Sequence, residues 1–156
     1  MPGKFYVENR AEKVSLQAIE YALIDIGDKL DAIKCQTDKL GGEIPGEGST
    51  IADWQMAETD VIQIGAVGIR NKIHDLTLSI HNLIGSQITV RLYKVVNGTE
   101  RKVYEQNFNA ATDTPGLPII NGSWALHGIL RVTLQSNDAT DNGQAVDHDY
   151  MLEEMQ

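Results

Sequence analysis

Apolar side chains recur along residues 16–40 at Leu16, Ile19, Leu23, Ile26, Leu30, Ile33 and Leu40, in steps that alternate three and four. Only Thr37 interrupts the series. Placing Leu16, Leu23, Leu30 and Thr37 at heptad position a and Ile19, Ile26, Ile33 and Leu40 at d leaves Glu20, Asp25, Asp28, Lys29, Asp31, Lys34 and Asp38 on the outer faces, as a solvated coiled coil requires. A helix of about 25 residues at roughly 1.5 Å each is about 37 Å long, more than one small domain shelters along its whole length. The alternative, an amphipathic helix lying on its own domain, calls for a wider apolar stripe; Ala18 and Ala22 widen this one slightly, and Ile24 sits at an outer b position. A lone helix of this length is marginal in water, whereas each Leu or Ile buried in a seam contributes on the order of 1.5 to 3 kcal/mol. The expectation is therefore self-association. Leu at a with Ile at d disfavours two strands and favours a homotrimer or a tetramer. Gly27, at an e position, costs about 1 kcal/mol against Ala and leaves room for a neighbouring backbone, a slight bend being its ordinary reading.

The rest of the chain bounds the other possibilities. It has 156 residues, 42% of them hydrophobic, with a formal charge of -9, which suits one globular domain plus the helix. Residues 1–40 carry six Lys or Arg against seven acids, and residues 41–156 carry seven against fifteen, with no Lys or Arg after Arg131. Such a surface repels phosphates, so no nucleic-acid partner is expected. No run of eighteen apolar residues is present and the first residues lack the apolar core of a signal peptide, so no membrane span and synthesis in a cytoplasm are expected. The single cysteine, Cys35, excludes an internal disulfide framework and reads as an incidental thiol at the outer f position.

In chain order, residues 1–10 read as an arm whose patch Phe5, Tyr6 and Val7 either docks on a partner or folds back on the helix. The helix is expected over 11–41, ending at Gly41-Gly42, and the Gly-rich stretch 42–50 as a linker. A β domain over 51–156 follows, because the apolar period changes from about 3.5 to 2. Candidate strands are 51–56, 60–67, 75–81, 87–96, 101–108, 117–120, 128–136 and 145–153. Alternation is clearest in Leu76, Leu78, Ile80, in Ile88, Val90, Leu92, and in Leu130, Val132, Leu134. Asn97-Gly98 supplies the positive φ angles of a tight hairpin turn, and Asn121-Gly122 offers a second such turn. Eight short strands with turn signals about every ten residues suggest an antiparallel β-sandwich of jelly-roll or immunoglobulin-like topology, so the fold class is mainly β with one long N-terminal α-helix.

The succession ITVRLYKVVNGTERKVYEQNF, LRVTLQSND and GQAVDHDYMLEEM, within about the last 75 residues, resembles the β-sandwich of structural proteins, of decoration or fibre type, encoded by tailed bacteriophages and related viruses. The resemblance implies a virion component assembled in the host cytoplasm: a capsid decoration or cement protein, or a short fibre. Its partners would be copies of itself and other virion proteins such as a major capsid or tail protein. The layout of an oligomerising rod joined to a sandwich is similar to that of viral fibres and cement proteins.

Catalytic signals are sparse, and no enzyme and no cofactor are expected. His74, His81, His127 and His148 fall in no HExxH spacing, and no serine sits in a GxSxG elbow. His74 and His81 lie about 23 Å apart on a continuous strand, too far to share a metal. In Asp147-His148-Asp149 the aspartates would face away from the imidazole. Asp138, Thr140 and Asn142, with Asp149 at the twelfth place, form a weak calcium pattern; Asp, Asn and Gly equally make an ordinary turn, the reading preferred here. The alternative function is a host glycan- or receptor-binding module of a tail or spike. Trp54 or Trp124 would then stack on a sugar, although both sit in strand-like runs where core packing is expected.

Overall fold

The computed structural model describes residues 10–38 and 42–155, with helix side chains over 18–35. Phe5, Tyr6, Val7 and Leu40 lie outside the described residues, as does the side chain of Leu16. The described chain is mainly β with one helix, α1 (Arg10–Asp38), and eight strands: β1 (Glu43–Ile51), β2 (Thr59–Ile64), β3 (Arg70–Ser79), β4 (Ile88–Val96), β5 (Thr99–Phe108), β6 (Gly116–His127), β7 (Leu130–Ser136) and β8 (Ala145–Met155). The helix and the β region are separate compact units, divided between Leu40 and Gly41.

The strands form two antiparallel four-stranded sheets, ordered β1-β8-β3-β6 and β2-β7-β4-β5. Strand 1 pairs with 8, 2 with 7, 3 with 6 and 4 with 5. This is a long hairpin wrapped on itself, the jelly roll, and it decides between the two topologies the sequence left open. The alternating residues meet between the sheets: Leu76, Leu78, Ile88, Val90, Leu92, Leu130, Val132 and Leu134 have no accessible surface. Period-2 patterning thus becomes one core with polar outer faces. Asn97 and Gly98 make the tight β4–β5 turn, both with positive φ and with Val96 paired to Thr99.

Three expectations are corrected. The Gly-rich stretch is strand β1, paired along its length with β8 from Glu43 opposite Glu153 to Ile51 opposite Ala145. Its glycines have a packing reason: a Cβ on Gly46 would run into the ring of Tyr150, and one on Gly48 would stand 2.8 Å from Nε2 of His148. Residues 52–56 turn instead of continuing a strand, and Trp54 at the centre of the turn is wholly buried. Asn121-Gly122 makes no hairpin, because β6 runs straight through it. Ile73 faces Trp124 while Asp75 faces Asn121, so β6 carries one extra residue there as a bulge, with Gly122 at φ 126°. A second extra residue, between Leu76/Ile120 and Thr77/Pro118, lets adjacent Ile119 and Ile120 both be buried.

Each sheet edge carries its own guard against unwanted pairing. β6 has Pro118 and two bulges, β2 is short and bulged, β5 presents Arg101 and Lys102, and β1 has Pro45 between two glutamates.

Candidate functional site

On α1, the side chains of Ile19, Leu23, Ile26, Leu30 and Ile33 are between 55% and 63% exposed in the single chain. Tyr21 and Ile24 are also exposed and, with Glu20 and Leu23, line a shallow groove on the helix. The charged face is organised within the helix itself: Lys29 Nζ reaches Asp25 Oδ2 at 2.7 Å, four residues back. A Cβ on Gly27 would meet nothing within 4 Å, so no crowding within the chain demands glycine there. Cys35 is a free, exposed thiol.

The calcium pattern is not gathered into one place. Asp138 caps a single 3-10 turn, Ala139–Asp141, by accepting the Thr140 amide at 2.8 Å. Asn142 Oδ1 accepts the Gln55 amide, and Asp149 lies on β8 opposite Glu47. Among the described residues no three or more His, Cys, Asp or Glu are placed to hold a metal ion. The buried member of this loop is Asp141, which accepts the amides of Ile84 at 2.8 Å and Gly85 at 3.1 Å as well as the Ser136 hydroxyl. It ties the 137–144 loop to the turn before β4. Nothing in the sequence distinguishes Asp141 from its neighbours Asp138 and Asn142, since its role depends on a loop 56 residues away.

The histidines serve different ends of the first sheet. His74, at the β3 irregularity, meets Ser123 Oγ at 3.1 Å and Glu153 Oε2 at 2.8 Å, and Lys72 reaches the same carboxylate at 3.2 Å. These hydrogen bonds and charges hold the Glu153 carboxyl below its usual range, the bond from His74 contributing most. The group joins β6, β3 and β8 where the ladder shifts register. His81 follows β3 and meets Ser79 at 2.9 Å and Asp147 at 3.6 Å. His148 turns to the inner side, its Nδ1 buried without a hydrogen bond, and burial lowers its pKa against the opposing pull of Asp147 and Asp149. Asp147 and Asp149 line an acidic depression on the outer face with Glu47, Ser49, Thr77 and Ser79.

Neither tryptophan is displayed as a sugar platform. Trp54 has no accessible surface and donates from Nε1 to the Gln144 carbonyl at 2.8 Å, while Trp124 is partly buried against the core.

The outer face of the second sheet carries two features absent from the sequence reading. Arg131 lies between Asp60 at 2.9 Å and Glu100 at 2.8 Å, with its guanidinium 4.3 Å from the centre of the Tyr93 ring. At one end of the same face Gln55, Gln87, Thr89, Arg91, Gln135 and Asn137 surround a groove of about 360 Å³. These residues come from three separate stretches, so only the fold brings them together.

No helix among the described residues is long and apolar enough to cross a membrane. No family model matches the chain, and no curated protein matches it. Among solved structures, the chain is similar to the PRD1 vertex protein P5, at 12% identity and a TM-score of 0.42, over 75% of this chain and 99% of that one.

Proposed function

We propose that this chain is a structural component of a virion, a capsid decoration or cement protein or a short fibre, that associates with copies of itself through α1 and docks on a larger particle. One observation carries the reading: Ile19, Leu23, Ile26 and Leu30 keep heptad spacing on a regular helix and stand more than half exposed in the single chain. Alternating steps of three and four match the surface of another helix of the same period, and burying these four side chains in that way contributes on the order of 1.5 to 3 kcal/mol each. Leu at a and Ile at d favour three or four copies.

The virion assignment rests on the resemblance of the three β-strand stretches to phage structural proteins and on the joining of a helix to a jelly roll. The docking partner in this reading is another virion protein, such as a major capsid or tail protein. Sedimentation at micromolar concentration tests self-association: the expected mass is three or four times 17.2 kDa. A mass of one chain with the helix intact overturns it. Incorporation into particles tests the second half, and a Leu23→Asp, Ile26→Asp variant should stay outside them.

A further inference from the structure

We propose that the groove at the end of the second sheet is a binding site for a neutral saccharide. Its lining is almost entirely amide and hydroxyl, and its volume falls in the range of small-ligand pockets. Thr89 and Gln135 are direct cross-strand partners on β4 and β7. Just beyond them Asn137 accepts the Gln87 amide at 3.0 Å through Oδ1 and donates its own amide to the Gln87 carbonyl at 3.1 Å. The far wall is set by Trp54: its ring is sealed in the core, its carbonyl accepts the Ser136 amide at 3.0 Å, and the next residue, Gln55, is fixed by its amide to Asn142 at 2.8 Å. The backbone is therefore committed on every side.

Among the side chains, Asn137 is bonded to Gln87 and Ser86 and the Thr89 hydroxyl donates to Asn107 Oδ1 at 2.7 Å, but the three glutamine amides are left open. Among the described residues those of Gln55 and Gln87 make no hydrogen bond, and Gln135 only accepts, weakly, from Arg91 at 3.5 Å. Each primary amide offers two donors and one acceptor in a plane, a set that pairs with neighbouring ring hydroxyls.

Charge selects against acidic ligands. Arg91 is the only ionised side chain lining the groove, and it is already engaged by Glu105 at 2.7 Å and Glu58 at 3.3 Å. A phosphate, sulfate or sialic acid would meet no uncompensated cation here, on a chain whose net charge is -9. A lipid or apolar peptide would find little apolar wall. With no aromatic ring in the lining, affinity per site is low, and copies joined through α1 would raise it by avidity, a gain that depends on the self-association proposed above.

The test is a printed array of neutral and sialylated oligosaccharides probed with the full chain. Neutral glycans should be retained, and Gln87→Ala and Gln135→Ala should each reduce retention by about tenfold, the loss expected for hydrogen bonds of this kind, with the melting temperature unchanged. Asp149→Asn, on the other sheet, should retain full binding. Gln87 is exposed, so its variant reports binding even if Gln135→Ala perturbs the fold. Retention of sialylated glycans alone, retention indifferent to both glutamine substitutions, or no retention at all overturns the proposal. The Leu23→Asp, Ile26→Asp variant separates the two readings: it should keep groove-dependent saccharide signals in solution NMR while losing self-association.

Discussion

Leu92 and Leu23 are the same side chain under two regimes. Leu92, in β4, has no accessible surface within its own chain, whereas Leu23, in α1, is 62% exposed. The sandwich builds a fully buried core within its own chain; the helix has the same kind of residues in regular order and leaves them open. Stability of the first should be independent of protein concentration, and in the proposed function stability of the second is set by it.

The widest break in that comparison is the Leu23→Asp, Ile26→Asp pair. It should abolish self-association entirely, seen as a single-chain mass in sedimentation, and leave the melting temperature of the sandwich where it was. Leu92→Ala should do the reverse, lowering sandwich stability by about 2–5 kcal/mol at every protein concentration, as measured by denaturant unfolding. Asp141→Ala should cost roughly 2–4 kcal/mol in the same assay, since it strands the buried Gly85 amide and the partly buried Ile84 amide. On the helix side, Gly27→Ala placed in the Leu23→Asp, Ile26→Asp background should raise helix stability by about 1 kcal/mol, read by far-UV circular dichroism, because the added methyl meets open space.

The smallest effect expected is on pH. The folded pKa of His148 lies below the ordinary 6.5, so the unfolded chain takes up the proton first. Its contribution is present above about pH 6.5 and is lost as pH falls toward the folded value. Glu153 and Glu100 are held below the ordinary 4.5, chiefly by hydrogen bonds from His74 and Arg131 respectively, so their contributions persist to lower pH and fade only beneath that value. Unfolding midpoints should therefore decline in two stages on acidification, and His148→Gln should flatten the first stage alone.

The sequence made some of this plain and hid the rest for identifiable reasons. Alternation in β3, β4 and β7 was legible because both neighbours of each of these strands are present and one face is fully covered. β1 was not legible: it is an edge strand, and Gly46 and Gly48 are glycines because Tyr150 and His148, a hundred or more residues later, lie against them. Asn97-Gly98 and Asn121-Gly122 carry one local signal and adopt two outcomes, a turn and a bulge, because β6 is held against β3 on both sides of the second pair. The heptad seam is a local pattern, readable at once, while the amide groove draws on residues from 55 to 137 and has no linear signature. Trp54, weighed as a sugar platform, instead anchors the turn that presents Gln55.

Wrapping the hairpin so that its first and last strands are neighbours sets Glu43 directly opposite Glu153. A short connector could therefore splice the exit of β8 to the entry of β1, and the ring so formed could be reopened at the Asn97-Gly98 turn to give a circular permutant. In such a molecule the jelly roll would keep all four strand pairings of the wrap while no longer following on from the helix, turning the order of the two parts into something an engineer chooses.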